Sequence, residues 1–219
     1  RGVLTTGMKT RDKILLASLT LFNDEGEGNV TTVDIANELD ISPGNLYYHF
    51  HGKEQIILEL YAGFELEMVD ILEAPLEQSL DAQDAWFYLY IVFEQIFKHR
   101  YLYHNLNDIL QRYPDIDRRF GRLLDLKRRA ASAVAEELVS AGVMTASERQ
   151  LAHLCDSVVL TLTYWLNYTG LRKDHAPNAL SIHRGVFQLM SLVAPYLTDD
   201  FRYFYDECSA LFDVLSSAD

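Results

Sequence analysis

Asn45, Tyr47, Tyr48 and His49 stand together in the run Ser42-Pro43-Gly44-Asn45-Leu46-Tyr47-Tyr48-His49-Phe50. None of them is a nucleophile beside a base, so the chemistry on offer is recognition. Asn45 and His49 can hydrogen-bond the edges of bases. Tyr47 and Tyr48 can bond phosphate or pack on thymine methyl groups, and Gly44 lets the backbone come close. Leu46 and Phe50, four residues apart, form the apolar side that turns these groups outward. Lys9, Arg11 and Lys13 precede the first helix and Lys53 follows the run, where phosphate clamps would flank an inserted helix. The acids Asp24, Glu25 and Glu27 fall in a separate loop. The plainer description, a polar coat on a small helical domain, fits each residue singly and the whole arrangement poorly. His49 and His51 lack the Cys or carboxylate partners of a zinc site, and His99, His104, His153, His175 and His183 have no ligand spacing, so no metal is expected. The chain carries no nucleophile elbow, P-loop, HExxH or dinucleotide fingerprint, and no cofactor is expected.

The elements that must hold these residues are helices. Five prolines and 11 glycines punctuate 219 residues, and no alternating pattern of useful length predicts a strand. Ile14, Ala17, Ser18 and Leu21, widened by Leu15 and Phe22, form one helical stripe that ends at 23–28. A short helix from Thr32 to Leu39 follows, capped by Thr31 or Thr32, with Thr31 and Asp34 as a capping box. Ile35 and Leu39 face the core, and Ala36 permits a close crossing. Ser42 is a good N-cap and Pro43 suits the first helical position, so the chain restarts after about three residues as a helix-turn-helix. A long helix then runs from Lys53 to about Glu73, with Ile57, Leu60, Phe64 and Met68 inward, and stops before Pro75. Further helices are predicted at about 81–99, 101–112, 115–141, 147–169, 178–196 and 199–216, broken by Pro114, Ala141-Gly142, Gly170 with Pro177, and Pro195. Asp115 and Asp199-Asp200 sit where carboxylates favour helix N-termini. The fold class is all-α. A three-helix reader, residues 8–52, precedes a larger domain, residues 53–219. Arg1–Gly7 is read as an expression remnant ahead of a natural start at Met8.

The run Ile35 to Glu54, IANELDISPGNLYYHFHGKE, resembles the helix-turn-helix signature of the TetR family of bacterial transcriptional regulators, over about residues 9–60. The wording Ser42 to Glu54 and the later Leu192-Val193-Ala194-Pro195-Tyr196-Leu197 are also similar to regulators at polyhydroxyalkanoate storage loci. The family resemblance implies a two-fold homodimer whose recognition helices enter successive major grooves of a palindromic double-stranded DNA operator. By position, Thr32 and Ser42 match phosphate-contacting caps, Asn45, Tyr47, Tyr48 and His49 match groove-facing residues, and Lys53 matches a phosphate-binding lysine. Asp40 stands where the family usually has Gly; Asp tolerates a left-handed backbone better than most residues.

Composition bounds the rest. The chain has 49% apolar and 23% charged residues, the balance of a globular protein. Its 19 Lys/Arg and 32 Asp/Glu give a net charge of −13, which excludes a uniformly basic nucleic-acid binder. Residues 1–53 carry five of those bases and seven of the acids, leaving 14 and 25 beyond. The larger domain would therefore repel phosphate. Cys155 and Cys208 form no CxxC pattern and are read as reduced thiols in a cytoplasmic protein. No apolar run is long enough for a membrane helix. Trp86, Phe87, Tyr88, Tyr90, Phe93 and Phe97, joined by Tyr101, Tyr103, Phe120, Tyr164, Trp165 and Tyr168, exceed what one core stripe needs. They are either a packed aromatic core or a cavity for a small hydrophobic ligand. The family places such a cavity among its fourth to eighth helices, and the expected lining is Met68, Trp86, Tyr90, Phe93, Tyr103, Phe120 and Tyr164. The family dimerises through the last two long helices of the core as a four-helix bundle. Here Val158, Leu162, Trp165, Val186, Leu189 and Val193 supply the apolar stripes, with burial inside one chain as the alternative. The last segment, with Phe201, Phe204, Leu211 and Phe212, would pack on or extend that bundle. The function expected is a ligand-responsive regulator, a repressor released by its ligand. The alternatives are an all-α enzyme using the aromatic cavity and a dimeric module that binds another protein.

Overall fold

The structure, a computed structural model, describes residues 8–78, 80–172 and 179–216, without the side chains of residues 179, 180, 204, 208 and 211–216. The segment Arg1–Gly7, the break at Pro177, His175, and the side chains of Phe204, Cys208, Leu211 and Phe212 therefore lie outside it. The described residues form α1 (Thr10–Glu25), a 3-10 turn (Glu27–Asn29), α2 (Thr32–Glu38), α3 (Pro43–His49), α4 (Lys53–Glu77), α5 (Ala82–Lys98), α6 (Arg100–His104), α7 (Leu106–Arg112), α8 (Pro114–Ser140), α9 (Glu148–Arg172), α10 (Ala179–Val193), a second 3-10 turn (Ala194–Tyr196) and α11 (Asp199–Ser216). The all-α expectation is met.

Two compact units divide this chain: residues up to Leu66 with His99–Asp117, and Glu67–Lys98 with Arg118 onward. Compactness thus groups α6 and α7 with the first three helices, although sequence places them within the larger domain. The reason is visible in unit one. The backbone N–H of Tyr101 donates to Asn23 Oδ1 at 3.0 Å, Arg100 pairs with Asp24 at 2.7 Å, and the Tyr101 ring packs on Phe22 at 5.6 Å between centroids. The end of α1 is stapled to the start of α6.

Three local expectations need correction. α4 does not stop before Pro75; it runs to Glu77, and Gln78 N still donates to Ala74 O at 3.1 Å. A proline this close to a helix end removes one amide from the ladder while its neighbours keep theirs. Residues 101–112 are two helices, because Asn105, at φ −119° and ψ 30°, interrupts them. α9 passes through Gly170 to Arg172; glycine weakens a helix interior by about 1 kcal/mol, too little to end a helix that has already propagated through the preceding turns.

In unit two, α5, α9 and α10 meet at a glycine. A Cβ at Gly185 would lie 2.5 Å from Cε1 of Phe93 and 2.9 Å from Nε1 of Trp165. Phe93 is buried, so its ring has little room to retreat. Trp165 also donates to the Ser181 carbonyl at 3.3 Å, tying α9 to α10, and His183 Nδ1 lies 3.1 Å from Tyr90 Oη, tying α10 to α5. Overpacking of such a contact costs about 1–3 kcal/mol. Gly185→Ala is expected to lower the unfolding free energy by that amount, read from the midpoint of a urea titration with an unchanged slope.

Candidate nucleic-acid interface and ligand cavity

The helix-turn-helix is built from local rules. Thr31 is the N-cap of α2: its hydroxyl accepts from Asp34 N, and the Asp34 carboxylate accepts from Thr31 N at 2.8 Å, closing a capping box. These hydrogen bonds from Thr31 hold the Asp34 carboxyl below its ordinary value. Thr32 is the first helical residue, so of the two threonines considered as caps it is not the one used. At the other end Ile41 N donates to Ala36 O at 3.0 Å and Asp40 N to Asn37 O at 3.1 Å. With Asp40 at φ 52°, this is a Schellman turn whose left-handed position holds an aspartate. Ser42 then caps α3, accepting from Asn45 N at 3.1 Å, with Pro43 at the first position.

Leu46 and Phe50 are buried, each worth about 1.5–3 kcal/mol of apolar burial, and they fix which way α3 faces. Outward stand Ser42, Gly44 and Asn45, with Tyr47 61% and Tyr48 81% exposed and His49 half-buried. Tyr47 packs edge-on against His51 at 5.0 Å and Tyr48 against His49 at 5.1 Å. The face is uncharged apart from what the histidines carry. His51 joins it, a residue that sequence weighed only as a metal ligand.

The flanking cations divide. Lys9 is exposed at the N-cap of α1. Arg11 is held by both oxygens of Glu59, its guanidinium 4.7 Å from the Phe50 ring centroid. Lys53 points inward: its Nζ donates to the carbonyls of Glu27 at 2.9 Å and Val30 at 3.1 Å, and pairs with Glu27 Oε1 at 3.0 Å. Glu27 is buried and is also gripped by Arg112 of α7. Burial alone would raise the Glu27 carboxyl. The hydrogen bonds and charges of Arg112 and Lys53 outweigh it and hold the group below its ordinary value.

The apolar cavity lies in unit two, a space of about 110 Å³ among residues of α4, α5, α8, α9 and α10 with the segment around Met144 and Leu197. Of the seven lining residues expected, the structure brings only Trp86 to it. Met68, Phe93, Tyr103 and Phe120 are buried in packed interior, Tyr90 bonds His183, and Tyr164 faces outward. Val158, Leu162, Leu189 and Val193, expected at a dimer seam, line the cavity. Val186 is buried within the chain as well, and Trp165 is half-buried against Gly185. What α9 does expose is a different stripe, Leu160, Tyr164, Tyr168 and Leu171, the last 75% exposed. That spacing of four, four and three is one helix face. Among the described residues no helix is long and apolar enough to cross a membrane.

With this geometry in hand, likeness to known proteins becomes specific. Residues 14–60 match bacterial regulatory proteins of the tetR family, and residues 63–205 match TetR, described as a bacterial transcriptional repressor. The crystal structure of a TetR-family transcriptional regulator from Marinobacter aquaeolei VT8 is 34% identical, with a TM-score of 0.81 over 94% of this chain and 98% of that one. The HTH-type transcriptional repressor KstR2 of Mycolicibacterium smegmatis is 38% identical over 71 residues, 32% of this chain and 33% of that protein. The HTH-type transcriptional regulator QacR of Staphylococcus aureus is 43% identical over 53 residues, 24% and 28% of the two. The chain thus spans a third or less of these two curated relatives. The narrower likeness to storage-locus regulators is carried by none of these matches.

The Glu27 network yields a pH signature. A carboxyl whose folded value is lowered adds stability above its unfolded value, near ~4.3, and loses it as pH falls through the folded value. Glu27→Gln is therefore expected to be less stable than the parent at pH 7. The gap should narrow below about pH 4, as followed by denaturant titration at each pH.

Proposed function

Because this chain belongs to the TetR family of bacterial transcriptional regulators, we propose that it is a repressor: a homodimer that lays two α3 helices along a palindromic operator and lets go when a small hydrophobic ligand fills the apolar cavity. In this reading residues 8–52 read DNA and residues 53–219 sense and dimerise. The observation that carries it is the outward face of α3, polar and aromatic, without a carboxylate, and pinned by Leu46 and Phe50. An exposed helix of this kind suits a major groove, which admits one helix and presents donors, acceptors and thymine methyls to it. The family is one of DNA-binding regulators rather than enzymes.

Asn45 and His49 are assigned to base edges and Tyr47 and Tyr48 to bases or phosphate, with His51 beside them. Ser42, Thr32 and Lys9 are assigned to phosphate. Lys53 and Arg11 support this surface from behind, the first through Glu27 and the second through Glu59 and Phe50, which replaces the direct phosphate role expected for them. The partner across the two-fold axis is a second copy of the chain, joined through the stripe Leu160, Tyr164, Tyr168 and Leu171. Two reading heads then stand about 34–36 Å apart, one turn of DNA. Ligand and DNA are coupled through α4, which starts at Lys53 and contributes Leu72 to the cavity wall. The coupling available is the ligand's differential affinity for the two states, typically ~1–3 kcal/mol.

Operators selected from random DNA provide the test. Asn45→Ala and Tyr48→Ala are expected to cost about 1–3 kcal/mol of discrimination between operator and random duplex, whereas Lys9→Ala should weaken both alike and flatten the salt slope by about one unit. Mutants that discriminate as well as the parent would remove α3 from the interface. For the dimer, Leu160→Glu with Tyr168→Glu should give a folded monomer by light scattering, with operator affinity lost; a dimer surviving both changes would place the seam elsewhere.

A further inference from the structure

The two ends of the helix-turn-helix are tied at one carboxylate. Thr31 caps α2 and Phe50 closes α3, and just outside them stand Val30 and Lys53. Lys53 Nζ donates to the Val30 carbonyl at 3.1 Å and pairs with Glu27 Oε1 at 3.0 Å. Into this knot reaches a side chain from 85 residues beyond Glu27. Arg112, the last residue of α7, donates through Nη1 to Glu27 Oε1 at 3.3 Å and through Nη2 to Glu27 Oε2. The same Nη2 meets Asp108 Oδ2 at 2.7 Å, one turn earlier in α7, so its own helix aims the guanidinium. The Glu27 side chain is fully buried, whereas Arg112 keeps 37% of its side chain exposed.

Cohesion alone is better served by apolar groups, since replacing a buried ion pair with well-packed hydrophobic residues is often neutral or stabilising. What an ionic knot supplies is direction. A carboxylate met by a guanidinium fork and an ammonium has few orientations that satisfy both, and the best-attested use of such groups is to fix register. The register fixed here is that of residues 31–52, because both of their flanks meet at Glu27. The helix before α7 is itself fastened to the end of α1, through Tyr101 on Asn23 and Arg100 on Asp24.

We propose that Arg112 is a positioning residue for DNA reading: through Glu27 and Lys53 it sets how α3 is presented, so the reading body comprises α6 and α7 as well as residues 8–52. This rests on the reading of α3 as the helix that enters the groove. Without the fork the Glu27 carboxylate is free to turn, and the end of α3 and the start of α4 lose their common reference. The helices themselves still form, because their caps and the Leu46–Phe50 anchor are local. What slackens is their placement. The role differs from that of Lys9, assigned to phosphate: Arg112 acts on affinity through geometry and adds nothing to the count of phosphates neutralised.

The test compares the full-length parent with Arg112→Gln, Arg112→Lys and a control, Arg128→Gln, which breaks the exposed pair with Asp156 in unit two. Each is measured at a temperature where denaturant titration shows it fully folded, so stability does not enter the affinity. Arg112→Gln is expected to bind the operator selected from random DNA about tenfold more weakly, within the span of coupled sites. Its salt slope should be unchanged and amide hydrogen exchange over residues 42–50 faster. Arg112→Lys, which keeps the charge and loses the fork, should be a few-fold weaker, and Arg128→Gln should match the parent. An Arg112→Gln protein equal to the parent in affinity and exchange overturns the proposal. So does a salt slope lower by about one unit, the mark of a direct phosphate contact, or an equal loss in Arg128→Gln. Should Arg112→Gln fail to melt cooperatively, Arg112→Lys decides by the same readouts. If the parent selects no duplex, the regulatory reading fails and the exchange rates alone decide this one.

Discussion

One carboxylate holds the first unit together. Glu27 leaves the 3-10 turn after α1, is buried, and is met from one side by the first residue of α4 and from the other by the last residue of α7. Lys53 also closes off two carbonyls of the same loop. A buried charge with fewer partners would be a liability, because desolvation of an ion costs several kcal/mol before any attraction is counted. With two cations and their hydrogen bonds it acts as a register mark: α4 can begin in one place only. Since α3 ends four residues before Lys53, that mark also fixes where the exposed helix is presented.

The same logic explains why the surface cations are fewer than the sequence suggests. Lys53 and Arg11 read in one dimension as phosphate ligands on either side of a recognition helix. In three dimensions each is engaged with an acid far away in sequence, Glu27 and Glu59. Long-range pairs of this kind leave no mark in local spacing. They change the account of the interface: Arg11 and Lys53 are spent on rigidity, Lys9 is left exposed, and the outward face of α3 carries no Asp, Glu, Lys or Arg.

How much was legible follows from how local each determinant is. The cap at Ser42, the proline after it, the Leu46–Phe50 anchor and the left-handed place at Asp40 all act within a turn or two, and each could be read in order along the chain. So could the all-α class, from spacing alone. α9 shows where such reading ends. It has apolar residues on more than one side, and nothing in their periodicity tells a face turned to its own chain from one left open; Leu162 went inside and Leu160 outside, two positions apart. Aromatic abundance is ambiguous for the same reason: Phe93, Tyr103 and Phe120 are core, while the cavity is walled mainly by smaller side chains. Lys127 reads along the chain as an ordinary surface lysine of an amphipathic helix, and only the fold shows it buried. Pro75 and Gly170, in turn, are weak stops: one proline or glycine near a helix end costs too little to break a ladder already formed before it.

The absence of lysine, arginine and carboxylates from the α3 face has a consequence for how such a helix would behave as ionic strength changes. Contacts made by amides and phenols displace water rather than condensed cations, so they carry little of the electrolyte dependence that dominates nucleic-acid affinity. A protein that reads with this helix would lose overall grip in concentrated salt while its ranking of one site over another stayed nearly constant. Occupancy and selectivity would then be governed by separate parts of the molecule, and osmotic stress would act on the first alone.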